Sequence, residues 1–507
     1  MKPQQLFTKS DRADPGYSAS ERPACGVLAN LPALGVIALA IASSVVLTLG
    51  GCASSAGIAS TAQTIAPISI GLDPDAVGSA LVPAVTADWW RSFGDPALTA
   101  LVERALADNP SLKVAQARLA RADAAVSGAQ AADGPQLNGS LDVTRQRFSA
   151  TSIYPPPLGG SIRTLGTAQI GGSWELDFFG RNRAAIDAAV GSQRAAQADV
   201  RAARNLLASN VARTYVQLGR LFAQRELAQR SLTQRDEILT LIRQRVQGGL
   251  DTTVEQRQGE GALPESRQQI EALDEQIALT RHALAALTVQ APNALDALVV
   301  PLRSVQAVPL PAAVPADLLG RRADIAAARW RIEAATGDTK GAKAQFYPNI
   351  NLSAFVGLAS IGLDQLIKSG SEQYGAGPAI RLPIFDSGRL RANLSAKTAD
   401  LDAAIESYNS AVLEAVHDVA DQIASLRSID RQQAEQVRAQ AAAESAYDLS
   451  TQRYKAGLST YLTVLNAEAT VLAQRRQSAD LKARALDAQI GLIRSLGGGY
   501  TNPGATS

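Results

Sequence analysis

Cysteine is almost missing from this chain. Cys25 and Cys52 are the only two, both near the start of 507 residues, so a disulfide framework is excluded. Histidine is as scarce: His282 and His417 lie far apart, without cysteine or clustered ligand partners, and no metal site or general base is expected of them. No phosphate-binding glycine loop and no catalytic constellation appear, so no cofactor and no enzyme activity are expected. Net charge is only +2, which gives no support to a nucleic-acid partner. Aromatics make up 5% of the chain, too few for a large mixed core. Proline is absent from Gly388 to Gly498.

That proline-free stretch organises the rest. Leu394, Leu401, Ile405, Tyr408, Val412, Val416, Val419, Ile423 and Leu426 fall on one face of a helix. The spacing predicts an unbroken helix to Tyr454, roughly 100 Å long at about 1.5 Å per residue. Gly457 supplies a left-handed stop, Ser459 or Thr460 caps a return helix, and the return ends near Leu496. The hairpin occurs twice. Arg245, Gly249, Leu250 and Thr252 recur as Arg453, Gly457, Leu458 and Thr460, each 208 positions on. Upstream, Leu112, Gly128 and Pro135 recur as Ile325, Gly341 and Pro348, 213 positions on. This period is too long for a solenoid and reads as a duplicated half-molecule.

Each half also carries period-two segments. Leu137, Gly139, Leu141 and Val143 alternate with polar residues, as do Ile170, Gly172, Trp174, Leu176 and Phe178. Ile350 to Leu358 and Ala376 to Ile384 repeat the pattern, with Pro378 and Pro383 awkward for an interior strand. Strands of about ten residues suffice to cross a bilayer when tilted. Two readings fit: soluble hairpins packed on a helix, or four membrane strands. Four membrane strands leave two open edges, which lipid does not tolerate, so copies of the chain must share a barrel. Two copies give eight strands and three give twelve. Asp142, Glu175 and Asp177 then fall on the lumen face.

The ends are distinct. Gly26 to Gly51 contains no charge and is long enough for a retained transmembrane anchor, but it ends in Leu49-Gly50-Gly51-Cys52, which resembles the lipobox of bacterial lipoproteins, with Cys52 as the acylated residue. The chain divides into a signal peptide (1–51), a lipid-anchored flexible tether (52–88), a first repeat (89–291), a proline-rich linker (292–320), a second repeat (321–498) and a flexible tail (499–507).

Several segments in order resemble the TolC-type outer-membrane factors, in the lipoprotein branch that serves resistance-nodulation-division (RND) efflux pumps. They are Trp90 with Phe93-Gly94-Asp95-Pro96-Ala97-Leu98, Asn109-Pro110-Ser111-Leu112, Arg321-Arg322-Ala323-Asp324-Ile325, Leu382-Pro383-Ile384-Phe385-Asp386-Ser387-Gly388-Arg389, and Arg453-Tyr454-Lys455-Ala456-Gly457-Leu458. Ala323 departs from the proline often found there. The resemblance covers residues 89 to 498. It implies a mainly α fold with membrane β: a homotrimer whose twelve-stranded outer-membrane β-barrel continues into a periplasmic α-helical tunnel. It also implies outer-membrane lipid, a periplasmic adaptor protein and an inner-membrane RND pump as partners. The function implied is passive export of drugs or toxic solutes. The turns Gly249, Leu250, Thr252 and Gly457, Leu458, Thr460 are expected to dock the adaptor. Tyr447, Asp448, Arg453 and Arg245 are expected to form a charged periplasmic gate. The exit duct of a type I secretion system has the same architecture; a lipid-anchored coiled-coil scaffold with soluble hairpins is the alternative of another class.

Overall fold

A computed structural model describes residues 54–70, 85–151, 153–305 and 320–500. In chain order these form α1 (Pro96–Asp108), α2 (Pro110–Asp133), β1 (Gln136–Arg147), β2 (Ile162–Leu176), α3 (Arg181–Gln247) and α4 (Thr253–Leu287). The second half supplies α5 (Ala323–Ala344), β3 (Asn349–Ile361), β4 (Glu372–Arg381), α6 (Arg389–Lys455) and α7 (Tyr461–Ser495). The duplication is met in length: α3 and α6 each have 67 residues, α4 and α7 each 35. At about 1.5 Å per residue the longer pair spans roughly 100 Å.

The strands form one antiparallel sheet in the order β1-β2-β3-β4. The halves join in its middle, where Leu165 pairs with Ile361 and Leu176 with Ile350. The register puts apolar residues in rows across all four strands. Gly139, Ile170, Val356 and Tyr374 make one row, and Leu176, Ile350 and Ile380 another. The reverse face carries Gln136, Ser173, Ser353 and Gly377, and also Glu175 with Asn351. The long helices pack on one another and strands on strands; among the described residues no α-helix covers either face of the sheet, and only the short turn Leu363–Gln365 touches β2 and β3. Leu137, Val356, Tyr374 and Ile380 are therefore exposed in the single chain. The soluble-hairpin reading needs a covering helix, and among the described residues no α-helix takes that place.

Three expectations need correction in detail. β2 begins at Ile162 rather than near Ile170, because Gly166, Thr167 and Ala168 are too small or mixed to show alternation. β4 runs from Glu372 to Arg381, so Pro383 lies beyond it and Pro378 sits in an edge strand, where proline is tolerated. Asp177 is not on a strand face. Its carboxylate accepts the backbone N–H groups of Arg181 (2.7 Å) and Arg183 (2.9 Å) and caps α3. Asp386 does the same for α6 through Gly388 and Leu390. Pro264 lies inside α4, which continues through it.

The largest core lies part-way along the long helices. Trp89, Trp90, Phe93 and Leu98 pack there against Tyr215, Leu218 and Leu221 of α3, with Leu284, Val300 and Ile490 closing it. Asp95 fixes that junction. It caps α1 through Ala97 and Leu98 and accepts hydrogen bonds from the Tyr215 hydroxyl (3.0 Å) and Ser304 (2.7 Å).

The segment after Cys52 is more than a loose tether. Residues 54–66 lie along α6 as an extended ribbon. Arg391 donates to the carbonyls of Ser54 and Ala56, and Ser60 donates to Asp402 (2.5 Å). Asn409 accepts from the N–H of Ile65 and donates to the carbonyl of Gln63, both at 2.9 Å. Ser54 is thereby held near the start of α6, beside the sheet. Cys52 itself, the expected signal peptide, Pro309, Pro311 and Pro315 lie outside the described residues.

Candidate functional site at the helical tips

The two helical turns at the end far from the sheet are built alike. In each, a glycine takes a left-handed conformation: Gly249 at φ 70° and Gly457 at φ 74°. The next N–H reaches back to the helix. Leu250 donates to the Arg245 carbonyl and Leu458 to the Arg453 carbonyl, both at 2.8 Å. Gly249 and Gly457 close the inner ring to Val246 and Tyr454. This is the Schellman arrangement, whose last residue ordinarily packs its side chain on the helix. Here the residue it would pack on is arginine in both copies. Leu250 and Leu458 are instead each 69% exposed. Thr252 caps α4, its hydroxyl accepting from the N–H of Val254 while Glu255 accepts from the N–H of Thr252. Thr460 stands at the same place before α7 without a side-chain cap.

Behind the turns, a partly buried polar joint ties one hairpin to the other. Arg245 pairs with Asp251 through two hydrogen bonds, at 2.9 and 3.2 Å. The Tyr454 hydroxyl donates to the same carboxylate from the opposite hairpin. The Arg245 guanidinium also lies 4.7 Å over the Tyr454 ring. Asp251 is partly buried, which by itself raises a carboxyl pKa. The hydrogen bonds from Arg245 and Tyr454 outweigh this and hold it below its ordinary value. Burial, then the Asp251 carboxylate, push the Tyr454 hydroxyl well above its ordinary value.

One helical turn or more along, Tyr447, Tyr454, Tyr461 and Val464 pack with Ile238 and Ile242 of α3. Next to them Glu468 of α7 is 3% exposed. It accepts from Arg235 (2.9 Å) and Ser231 (3.1 Å) of α3, and Arg235 also donates to Ser266 and the Ala262 carbonyl of α4. Three helices thus meet at one ion pair.

The four expected gate residues are not brought together. Arg245 faces Asp251 and Tyr454, and Tyr447 is in the tip core. Asp448 and Arg453 are exposed, and neither forms an ion pair among the described residues. The reason is divergence between the repeats. Arg453 matches Arg245, but Ser459 stands where the first half has Asp251. Asp251, Tyr454 and Glu468 escaped the sequence reading. A signal for the first two was present: each breaks the 208-residue match, Asp251 against Ser459 and Tyr454 against Val246.

The chain matches the outer membrane efflux protein family over residues 101–289 and 314–498, one stretch in each half. It belongs to that family. The multidrug resistance outer membrane protein MdtQ of Escherichia coli O6:H1 is 35% identical over 420 residues, 81% of this chain and 88% of that protein. The fusaric acid resistance protein FusA of Burkholderia cepacia is 38% identical over 376 residues, 72% and 70% respectively. The crystal structure of the outer membrane protein VceC of Vibrio cholerae superposes with a TM-score of 0.77 at 35% identity, over 82% of this chain and 99% of that one. This efflux protein therefore works in the outer membrane, as a channel. Among its described residues no helix is long and apolar enough to cross a membrane, and the uncovered sheet is the element whose face suits lipid.

Proposed function

We propose that three copies of this efflux protein form the exit duct of a tripartite RND-type efflux system, exporting drugs or other toxic solutes passively across the outer membrane. The carrying observation is the sheet. Among the described residues it has a continuous apolar face, no covering α-helix, and unpaired edges at β1 and β4. In lipid every backbone N–H and C=O needs a partner, so β4 of one copy must pair with β1 of the next. Three copies close a twelve-stranded barrel, the polar face lining the lumen. The bare sheet faces speak against a soluble scaffold, and no feature favours a protein-secretion duct over efflux. Purified protein is expected to run as heat-modifiable trimers and to conduct in planar bilayers. A lone, non-conducting subunit in lipid would overturn this reading.

The anchor follows from the ribbon. Ser54 is held by Arg391 at the start of α6, next to the sheet. A lipid on Cys52, two residues earlier, would meet the same membrane as the barrel. Cys52→Ser is expected to abolish incorporation of labelled palmitate, and unchanged labelling would sink the anchor.

The tips are the proposed adaptor contact. Two leucines, exposed to the same degree at the two turns, offer an apolar knob on every hairpin. Leu250→Asp combined with Leu458→Asp is expected to abolish crosslinking to the adaptor and drug export while leaving trimers intact. Intact efflux and crosslinking would show that the adaptor binds elsewhere. We propose the gate at the Arg245, Asp251 and Tyr454 joint. Tyr447 backs it from the core, and the exposed Asp448 and Arg453 are free to meet a neighbouring copy.

A further inference from the structure

Between α3 and α5, beside Ala87 to Trp90 and Gly497 to Tyr500, lies a cavity of about 680 Å³. It is remote from the features already assigned. Its α3 residues, 194 to 205, stand roughly 60 Å or more from the tip turn at about 1.5 Å per residue. The size falls in the range of small-molecule sites.

Its lining is lopsided in charge. Arg194, Arg201 and Arg204 of α3 and Arg329 of α5 face it, against the single carboxylate of Glu333. Among the described residues none of the four guanidiniums is paired with a carboxylate. Most other arginines on these helices are paired: Arg331 with Asp199 at 2.6 Å, Arg213 with Asp487 at 3.2 Å. Two of the four lie instead on indole faces. Arg194 is 4.5 Å over Trp330 and Arg204 is 5.8 Å over Trp90. Such guanidinium planes accept a carboxylate in the fork or an aromatic ring on the free face.

A second observation points the same way. The Trp90 Nε1–H and the Asn205 Oδ1 are buried and have no hydrogen-bond partner. Both residues line the cavity. Both atoms are closed to water as the side chains stand, and a turn of either side chain toward an occupant would recover the cost of leaving it unpaired. The occupant that answers every feature carries a carboxylate for the arginines, a flat ring for the guanidinium and indole planes, and a hydroxyl or N–H for Asn205.

We propose that this pocket binds small aromatic acids bearing a hydroxyl or N–H donor. The site is separate from the tip and from the barrel, and the inference is independent of the channel reading. Salicylate is the probe with the required groups; benzoate lacks the donor, and inorganic phosphate lacks the ring. Calorimetric titration of the detergent-solubilised full-length protein is expected to give saturable salicylate binding, weaker for benzoate and absent for phosphate. Arg201→Gln with Arg329→Gln, two exposed positions that form no ion pair among the described residues, is expected to weaken salicylate at least tenfold while the protein keeps its oligomer and helix content. Trp330→Phe keeps an aromatic face under Arg194 and is expected to retain binding. No saturable salicylate signal, equal affinity in the double arginine variant, or phosphate competing as well as salicylate would each overturn the assignment.

Discussion

Asp251→Ala is expected to raise the single-channel conductance of the reconstituted protein several-fold and to sensitise the producing strain to large antibiotics. The carboxylate is shared by Arg245 of its own hairpin and Tyr454 of the other. Removing it leaves a partly buried guanidinium without a counter-charge. Breaking one side of a fully buried pair costs roughly 3–5 kcal/mol, and this partly buried one costs less. Each 1.4 kcal/mol that falls on the closed arrangement alone shifts a two-state gate about tenfold. Tyr454→Phe removes only the hydroxyl and keeps the ring under Arg245, so its effect should be smaller in the same direction. Planar-bilayer recordings compare the three proteins, and a conductance unchanged by Asp251→Ala would remove this joint from gating. Acidity should act alike. The Asp251 carboxyl titrates below its ordinary value, so the joint is whole at neutral pH and is lost only as pH falls through that lowered pKa.

The other large effect is steric. Gly337→Val should prevent the folded protein from accumulating, and Gly191→Val should do the same. A Cβ on Gly337 would stand 2.7 Å from the backbone nitrogen of Ala188, and one on Gly191 would stand 2.7 Å from that of Ala334. The contact is reciprocal: each helix puts a glycine against the other's main chain. Backbone cannot swing aside as a flexible side chain does, so α3 and α5 must separate. Overpacking of ordinary cores costs about 1–3 kcal/mol, and this contact should lie at or above the upper end. Gly341 makes the control. A Cβ there meets Ala184 Cβ at 3.7 Å, ordinary contact. Gly341→Ala should therefore be neutral or stabilise α5 by up to about 1 kcal/mol, the helix-propensity difference. Thermal unfolding followed by circular dichroism separates the cases. Equal melting of Gly337→Val and the parent would mean the helices have room that this geometry denies.

Much of this architecture could be read before the fold was known. Wherever structure is local and periodic, sequence carried it. The step pattern from Leu394 to Leu426 specified α6, and the copied Arg-Gly-Leu-Thr spacing placed both turns. Alternation around Leu137 and Ile350 placed β1 and β3. What escaped depends on partners far off in the chain. The ribbon over residues 54–66 has no period of its own and is shaped by Asp402 and Asn409. The tip joint links residues about 200 positions apart, and one buried carboxylate on α7, Glu468, looks in sequence like any surface glutamate. The early part of β2 was hidden because glycine, threonine and alanine do not declare a face.

The order of the strands carries one last implication. Inside a single chain the middle seam joins a strand of the first repeat to one of the second, β2 to β3. The two outer strands, β1 and β4, also come one from each repeat. In the proposed ring the seam between neighbours would therefore imitate the seam within each of them. Threefold assembly of the duplicated chain is then a disguised sixfold one. A single unduplicated ancestor could have closed the same wall with six identical copies, and fusion of its gene would have freed the two tips to diverge, as Asp251 and Ser459 have.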